Sequence, residues 1–183
     1  MSSAELVRRL AAHEIDGGIT YVEDEPLGAA LTMPLYDERY YLLAPRRQIG
    51  RNRTTMGWAE LSGQPLCLLT TDMQNRRLID AALTRAGVVA SPRVEADDVM
   101  ALLAFAQAGY PCVIAHPWLA LEGVPRGMSA IALDSPSVTH SIGLVTLPLE
   151  PASPMVRTLR AELAAAEIAI ALSQSADHWD QRA

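Results

Sequence analysis

Two groups of residues, all polar except Ala96, have the positions expected of an anion-binding site. Each group follows a short apolar run that is typical of a buried strand and precedes a longer apolar pattern with helical spacing. One residue of each group is therefore expected to cap a helix, and the free N–H groups of that helix's first turn favour a carboxylate or another anion. The groups are Thr70, Thr71 and Asp72, and Ala96, Asp97 and Asp98.

The two groups differ in how well they suit a ligand. The hydroxyls of Thr70 and Thr71 can donate a hydrogen bond to an anion, whereas the carboxylate of Asp97 would repel it. Thr71 or Asp72 alone would suffice to cap the helix that we predict up to residue 86. Asp97 is the predicted cap of the helix 98–108, which stops at Gly109.

His116 is the candidate for proton transfer, because it ends the predicted strand 112–115 and histidine titrates near neutral pH. A lone histidine more often has a structural role. Cys67 and Cys112 lie inside apolar runs and are predicted to be buried free thiols rather than nucleophiles or a disulfide. No Gly-x-Ser-x-Gly, His-x-x-x-His or Cys-x-x-Cys pattern occurs, and the chain has no lysine. We therefore predict no catalytic residue, no metal and no cofactor.

Composition sets the broad class. The chain has 183 residues, of which half are hydrophobic and a fifth charged, so it can bury a substantial core. A net charge of −6 argues against nucleic-acid binding by the chain as a whole. The N-terminus lacks the apolar run of a signal peptide, and we expect a cytoplasmic protein without a membrane span. The arginines between residues 46 and 53 are interpreted as a solvated loop, with an acidic partner as the alternative.

The predicted elements alternate between strands and helices. Such alternation favours an α/β fold with a largely parallel sheet and right-handed crossovers. Helix formation is expected from a capping box at residues 2–5, and again from Ser153 to about Ser173. Further strands are expected at 15–22 with a bulge at Gly17-Gly18, at 31–35 and 39–44 joined by a turn at 36–38, and at 65–69, 92–96, 129–133 and 139–147.

These elements suggest two lobes joined by two crossing segments. The first lobe is predicted to comprise residues 1–45 and 139–173. The second lobe, with the hinge loop, is predicted to comprise 46–138, and 174–183 is expected to be a frayed tail. In open α/β sheets, ligands bind outside the carboxyl ends of the strands, so a cleft is expected there.

Four stretches together resemble the effector-binding domain of LysR-type transcriptional regulators. The order and spacing of the stretches carry the resemblance more than any single one does. They are SAELVRRL at 3–10 with EIDGGI at 14–19, LYDERYYLLAP at 35–45, WAEL at 58–61 with QPL at 64–66, and Glu95 with VMALLAFAQAG at 99–109, leading to His116-Pro117.

The resemblance implies a type II periplasmic-binding-protein-like fold, two Rossmann-like lobes around a ligand cleft. The family's winged helix-turn-helix, its linker helix and the first strand and helix of its effector domain have no counterpart in the sequence, so the first lobe is expected to be incomplete. Pro111 replaces the family's second glycine and should stiffen that turn. The positions that match the family's cleft are Ser2, Ser3, Thr70, Thr71, Asp72, Ala96, Asp97 and His116.

The leading functional interpretation is a sensor that binds a small, anionic organic effector and self-associates as a dimer or higher homo-oligomer. DNA would be bound only through a helix-turn-helix domain that this sequence lacks. One alternative is a small α/β enzyme that uses His116 with Asp97 or Asp98 as acid and base. Another is a transporter's solute-binding protein, which should carry an export signal.

Overall fold

The computed structural model describes residues 3–23, 27–49 and 53–172. The helices are α1 (Ser3–Ala11), α2 (Gln74–Arg85), α3 (Val99–Gln107), α4 (His116–Glu122) and α5 (Pro154–Ala165). The strands are β1 (Gly17–Tyr21), β2 (Leu31–Pro45), β3 (Thr55–Gly57), β4 (Cys67–Leu69), β5 (Val94–Ala96), β6 (Cys112–Ala115), β7 (Met128–Ser135) and β8 (Thr139–Thr146). A 3-10 helix covers Trp58–Leu61.

The described residues form two compact units. The first unit contains the residues up to Glu38 and those from His140 onward, and the second unit contains Arg39–Thr139. The chain passes from the first unit to the second within β2. The lobe boundaries expected from the sequence, at residues 45/46 and 138/139, stay a prediction.

In the first unit, α1 packs on β1 and buries Leu6 and Leu10. β1 pairs with β8 antiparallel and in continuous register, from Gly17 opposite Thr146 to Tyr21 opposite Ile142. The predicted bulge at Gly17-Gly18 is therefore wrong. The glycine at position 18 instead permits the close approach of α1, because a Cβ there would lie 2.5 Å from Cδ1 of Leu6.

β2 is one continuous strand, so the predicted hairpin with a turn at residues 36–38 is wrong. The polar sequence Tyr36-Asp37-Glu38 resembles a turn, but long-range contacts hold it extended. Glu38 is buried and accepts a hydrogen bond from the Tyr21 hydroxyl of β1. A partner 17 residues away thus outweighs the local turn preference of these residues.

The second unit has a mixed sheet with the strand order β5-β4-β6-β2-β7-β3. β4 pairs parallel with β5 and β6, whereas β2 pairs antiparallel with β6 and β7. The prediction of a largely parallel sheet is correct only for β4, β5, β6 and the short β3–β7 pair. The antiparallel strand is β2, which begins in the first unit. Its direction cannot be predicted from the local spacing of apolar residues.

Both faces of this sheet are covered by apolar side chains. Along β2, Leu42 and Ala44 belong to one core cluster and Leu43 belongs to the other, as the two-residue period of a strand requires. α2 packs into the first cluster and α3 into the second. Two helices on opposite faces of one sheet confirm the predicted α/β class.

The helix ends differ from prediction in several details. α2 begins after Met73, whose side chain makes no cap, so neither Thr71 nor Asp72 is the cap. α5 ends at Ala165, and Glu167 has φ +46°, so the helix predicted to about Ser173 is interrupted. Residues 55–61 form β3 and the 3-10 helix. Ser2, Arg51 and the tail 173–183 lie outside the described residues.

Within the described residues, no helix combines the length and the apolar character needed to cross a bilayer.

Candidate functional site

Three parallel strands of the second unit end at one edge of the sheet. β4, β5 and β6 run in the same direction, so the residues that follow them lie on the same side. The backbone N–H of Thr70 donates to the carbonyl oxygen of Ala96 at 2.9 Å, which joins the first two loops directly. Thr70, Ala96, Asp97 and His116 are thus brought to a common edge, as the sequence predicted for the second lobe. Their role in ligand binding stays a prediction.

The loop after β4 is a tight turn that leads into α2. The N–H of Met73 donates to the carbonyl of Thr70 at 3.1 Å, and Thr71 and Asp72 are exposed. Hydrogen bonds from the Thr70 hydroxyl and from its own backbone N–H lower the pKa of Asp72, so this carboxyl is ionised at neutral pH. The guanidinium of Arg77 contributes to the same shift and also donates to the Asp72 carbonyl at 3.1 Å.

A buried arginine lies directly behind this edge. Nη1 of Arg76 donates to the carbonyl of Leu69 and to the carboxylate of Glu95, both at 2.6 Å. Its Nε donates to Asp80 at 2.9 Å. Arg76 therefore ties the end of β4 to β5, and Asp80 and Glu95 balance its charge.

Sequence reasoning missed Arg76. The only local signal is an arginine four residues before Asp80 on a helix, which is a spacing typical of exposed ion pairs as well. Its contact with Glu95, 19 residues away, depends on the pairing of β4 with β5. Arg77 on the next position was missed too, although its side chain is exposed beside the predicted ligand loop.

The cap of α3 is Asp98 and not Asp97. Its carboxylate accepts a hydrogen bond from the N–H of Met100 at 2.5 Å. The shift of one residue leaves Asp97 exposed at the end of β5 without a capping role. The carboxylate of Asp97 consequently lies at the same edge as the Thr70 loop.

His116 is the first residue of α4, a helix that the sequence did not predict. Its side chain is buried and therefore has little contact with solvent. Its position beside a ligand cleft stays a prediction. β5 and β6 lie on opposite sides of β4, which puts their backbones roughly 9.5 Å apart. Asp98 is engaged as the cap of α3.

Cys67 and Cys112 are free and buried, as predicted. They face each other in register on β4 and β6. Burial, with a smaller contribution from Cys67, raises the pKa of Cys112 to about 12, and burial also raises that of Cys67. Thiols with raised pKa values are poor nucleophiles at neutral pH. In the described part of the chain, no three His, Cys, Asp or Glu side chains are grouped as a metal site requires.

The first unit contributes one predicted ligand residue to the described structure. Ser3 is the first residue of α1, and Ser2 lies outside the described residues. The acidic residue of that first turn, Glu5, is held by Arg8 and Arg9 through hydrogen bonds of 2.7 to 2.8 Å. A role for Ser2 and Ser3 in ligand binding stays a prediction.

Comparison with known proteins identifies the family. The family model described as the LysR substrate binding domain matches residues 1–167. A search among curated proteins returned no match. Among solved structures, the regulatory domain of Synechocystis PCC6803 CcmR in complex with 2-PG is 15% identical, with a TM-score of 0.79 over 91% of this chain and 80% of that one.

Two longer chains have the same fold over part of their length. The Corynebacterium glutamicum OxyR C206 mutant is 18% identical, with a TM-score of 0.71, and the match covers 97% of this chain and 53% of that chain. Full-length CbnR in complex with its target DNA is 19% identical, with a TM-score of 0.72 over 91% of this chain and 57% of that one. This chain thus spans about half the length of these two proteins. The family match and the structural similarity confirm the predicted periplasmic-binding-protein-like fold.

Proposed function

Because this chain belongs to the LysR substrate-binding domain family, we propose that it is the ligand-sensing part of a transcriptional regulator and binds a small organic anion. The observation that carries the proposal is the shared edge formed by the ends of β4, β5 and β6, which joins the Thr70 loop to α2. A relative of the same fold was solved with 2-PG bound.

We assign the ligand's carboxylate or other anionic group to the start of α2. The hydroxyl of Thr71 and the first backbone N–H groups of α2 supply hydrogen-bond donors, and Arg77 supplies positive charge. Three donor types around one point suit a single anionic group.

The carboxylates at the same edge limit which anions fit. Asp72 is ionised and Asp97 is exposed at the same edge of the sheet, so a second negative charge on the ligand would be repelled. A ligand that joins one anionic group to hydroxyl or ammonium donors would instead be favoured, because these carboxylates accept hydrogen bonds. We therefore favour a small monoanion with hydrogen-bond donors.

The proposed output is a change in conformational population rather than turnover. A ligand shifts an equilibrium only by its differential affinity for the two states. We assign DNA binding to a helix-turn-helix domain of a full-length regulator and to no residue of this chain. Self-association of this chain is part of the same proposal.

The test is a binding screen by two-dimensional NMR with acetate, lactate, glycerate, succinate and benzoate at concentrations up to about 10 mM, which detects even weak binding. We expect lactate or glycerate to shift the resonances of Thr70, Thr71 and Gln74, and Thr71→Val to weaken that binding. Thr84→Val, at an exposed position near the other end of α2, is the matched control. Failure of every anion to perturb this edge, or equal binding by Thr71→Val, contradicts the proposed site.

A further inference from the structure

A cavity of about 310 Å³ lies at the other end of the second unit's sheet from the candidate anion site. Its walls come from the residues that precede β4 and β5 and from the end of α2. Leu66 lines the cavity, whereas Thr70 follows the far end of β4, roughly 13 Å from Leu66 along the extended strand. The cavity is thus separate from the anion site proposed at the Thr70 loop.

Backbone hydrogen bonds hold the walls of this cavity in place. The N–H of Arg93 donates to the carbonyl of Leu66 at 2.7 Å, which joins the segment before β5 to the segment before β4. The N–H of Val88 donates to the carbonyl of Leu83 at 2.9 Å, which fixes the chain after the end of α2. Because these contacts are made by the backbone, the cavity is formed before any ligand binds.

Apolar side chains, both buried and exposed, line the cavity. Leu61, Leu66, Leu83 and Val88 are buried members of the core cluster into which α2 packs. Val89, which also lines the cavity, is 90% exposed. An apolar group that covers Val89 removes this side chain from water, and the gain in free energy grows with the area that is covered.

Among the described residues, Arg93 is the only charged one that lines the cavity. It is exposed, and its guanidinium forms no ion pair within the described ranges. The carboxylates next to the lining segments, Glu60 and Glu95, are bound by Arg53 and Arg76 respectively. The cavity therefore combines an apolar surface with a cation whose charge the described structure does not balance.

We propose that this cavity binds a compact hydrophobic monocarboxylate, whose carboxylate pairs with Arg93 and whose apolar body covers Val89. An arginine binds a carboxylate through two parallel hydrogen bonds, which favours an acid over its amide. The volume is at the lower end of the roughly 300–1,000 Å³ that is common for small-molecule sites, so a single ring fits and a long fatty acid does not. The polar monoanion proposed for the Thr70 edge lacks an apolar body, so the two sites select different acids.

The test is a titration of the full chain with phenylacetate, up to about 10 mM, followed by two-dimensional NMR. We expect the amide resonances of Val89, Ser91 and Arg93 to shift and those of Thr70 and Thr71 to stay unchanged. Phenylacetamide, which has the same ring and no charge, should bind at least about threefold more weakly, because it cannot form the ion pair.

Two substitutions separate the contributions of charge and apolar surface. Arg93→Gln and Val89→Ser should each raise the dissociation constant of phenylacetate by about threefold or more. Both side chains are exposed, so the fold should be retained. Arg85→Gln is the matched control, because Arg85 is an exposed arginine at the end of α2 that does not line the cavity.

Three results would overturn the proposal. The first is phenylacetate that shifts no resonance of residues 88–93. The second is phenylacetate that binds Arg93→Gln as tightly as the unmodified chain, or that Arg85→Gln weakens equally. The third is phenylacetamide that binds as tightly as phenylacetate. Binding of lactate at the Thr70 edge is independent of these results, because that edge lies at the opposite end of β4.

Discussion

The hydroxyl of Tyr21 donates a hydrogen bond of 2.7 Å to the carboxyl group of Glu38. Both side chains are buried, and the bond joins β1 to the point where β2 leaves the first unit. Burial raises the pKa of Glu38 to about 7, and the bond from Tyr21 partly offsets this rise. Burial, together with Glu38, raises the pKa of Tyr36 to about 12. The pair therefore makes the stability of the chain depend on pH.

The free energy of unfolding should fall as pH rises from about 4.5 to about 7, because folded Glu38 holds its proton while the unfolded chain has released it. The loss in the free energy of unfolding that corresponds to this pKa shift is about 3 kcal/mol, and the loss does not increase further well above pH 7. Glu38→Gln should remove the pH dependence and raise stability at pH 8, measured by urea unfolding at pH 5 and pH 8.

Glu23→Gln is the control for this prediction, since Glu23 is exposed in the same unit and its replacement should keep the pH dependence. Tyr21→Phe should raise the pKa of Glu38 further, because it removes the hydrogen bond that stabilises the ionised form. An unchanged pH profile in Glu38→Gln would show that another group is responsible.

Gly143→Ala should destabilise the first unit by about 1–3 kcal/mol, because overpacking forces a backbone shift. A Cβ at this position would lie 2.7 Å from the carbonyl oxygen of Met33 and 2.8 Å from Val22. Gly57→Ala is the matched control, as the nearest atoms to its Cβ would be 3.6 Å away. Thermal unfolding compares the two variants, and equal melting temperatures would contradict the close packing of β8 against β2.

Arg76→Met should lower stability by about 1–3 kcal/mol, since the carbonyl of Leu69 and the carboxylate of Glu95 lose a buried charged donor. The partial exposure of Glu95 and Asp80 limits the loss. Arg77→Met, at the neighbouring exposed position, should change the urea midpoint by much less. If both variants lose the same stability, Arg76 does not tie β4 to β5.

Asp98→Ala should cost about 1 kcal/mol of stability through the loss of a helix cap. Asp97→Ala should cost much less and, if the proposed anion site is correct, should strengthen anion binding by removing a repulsive charge. Chemical denaturation measures the first effect and NMR titration with lactate the second. Equal destabilisation by both substitutions would contradict the assignment of the cap to Asp98.

Local signals were sufficient for the part of the second unit around α3. Gly109 with φ +104° ends the helix as predicted, the cap is Asp98, one residue after the predicted Asp97, and the apolar run 112–115 forms β6 with the predicted bounds. Parallel pairing of β4, β5 and β6 follows from the alternation of strands and helices. The candidate ligand residues at the ends of these strands were therefore predictable, and they reach a common edge.

The remaining features depend on contacts between distant residues. Tyr36-Asp37-Glu38 has the polarity of a turn, yet the bond between Tyr21 and Glu38 and the pairing of β2 keep it extended. Arg76 becomes part of the site only because β5 brings Glu95 beside it. By itself the sequence determined α1, α2, α3, the start of α5, most strands and the α/β class, since these follow from periodicity and local signals. Tertiary structure alone decided the strand directions and the buried charges, because each depends on which residues meet in space.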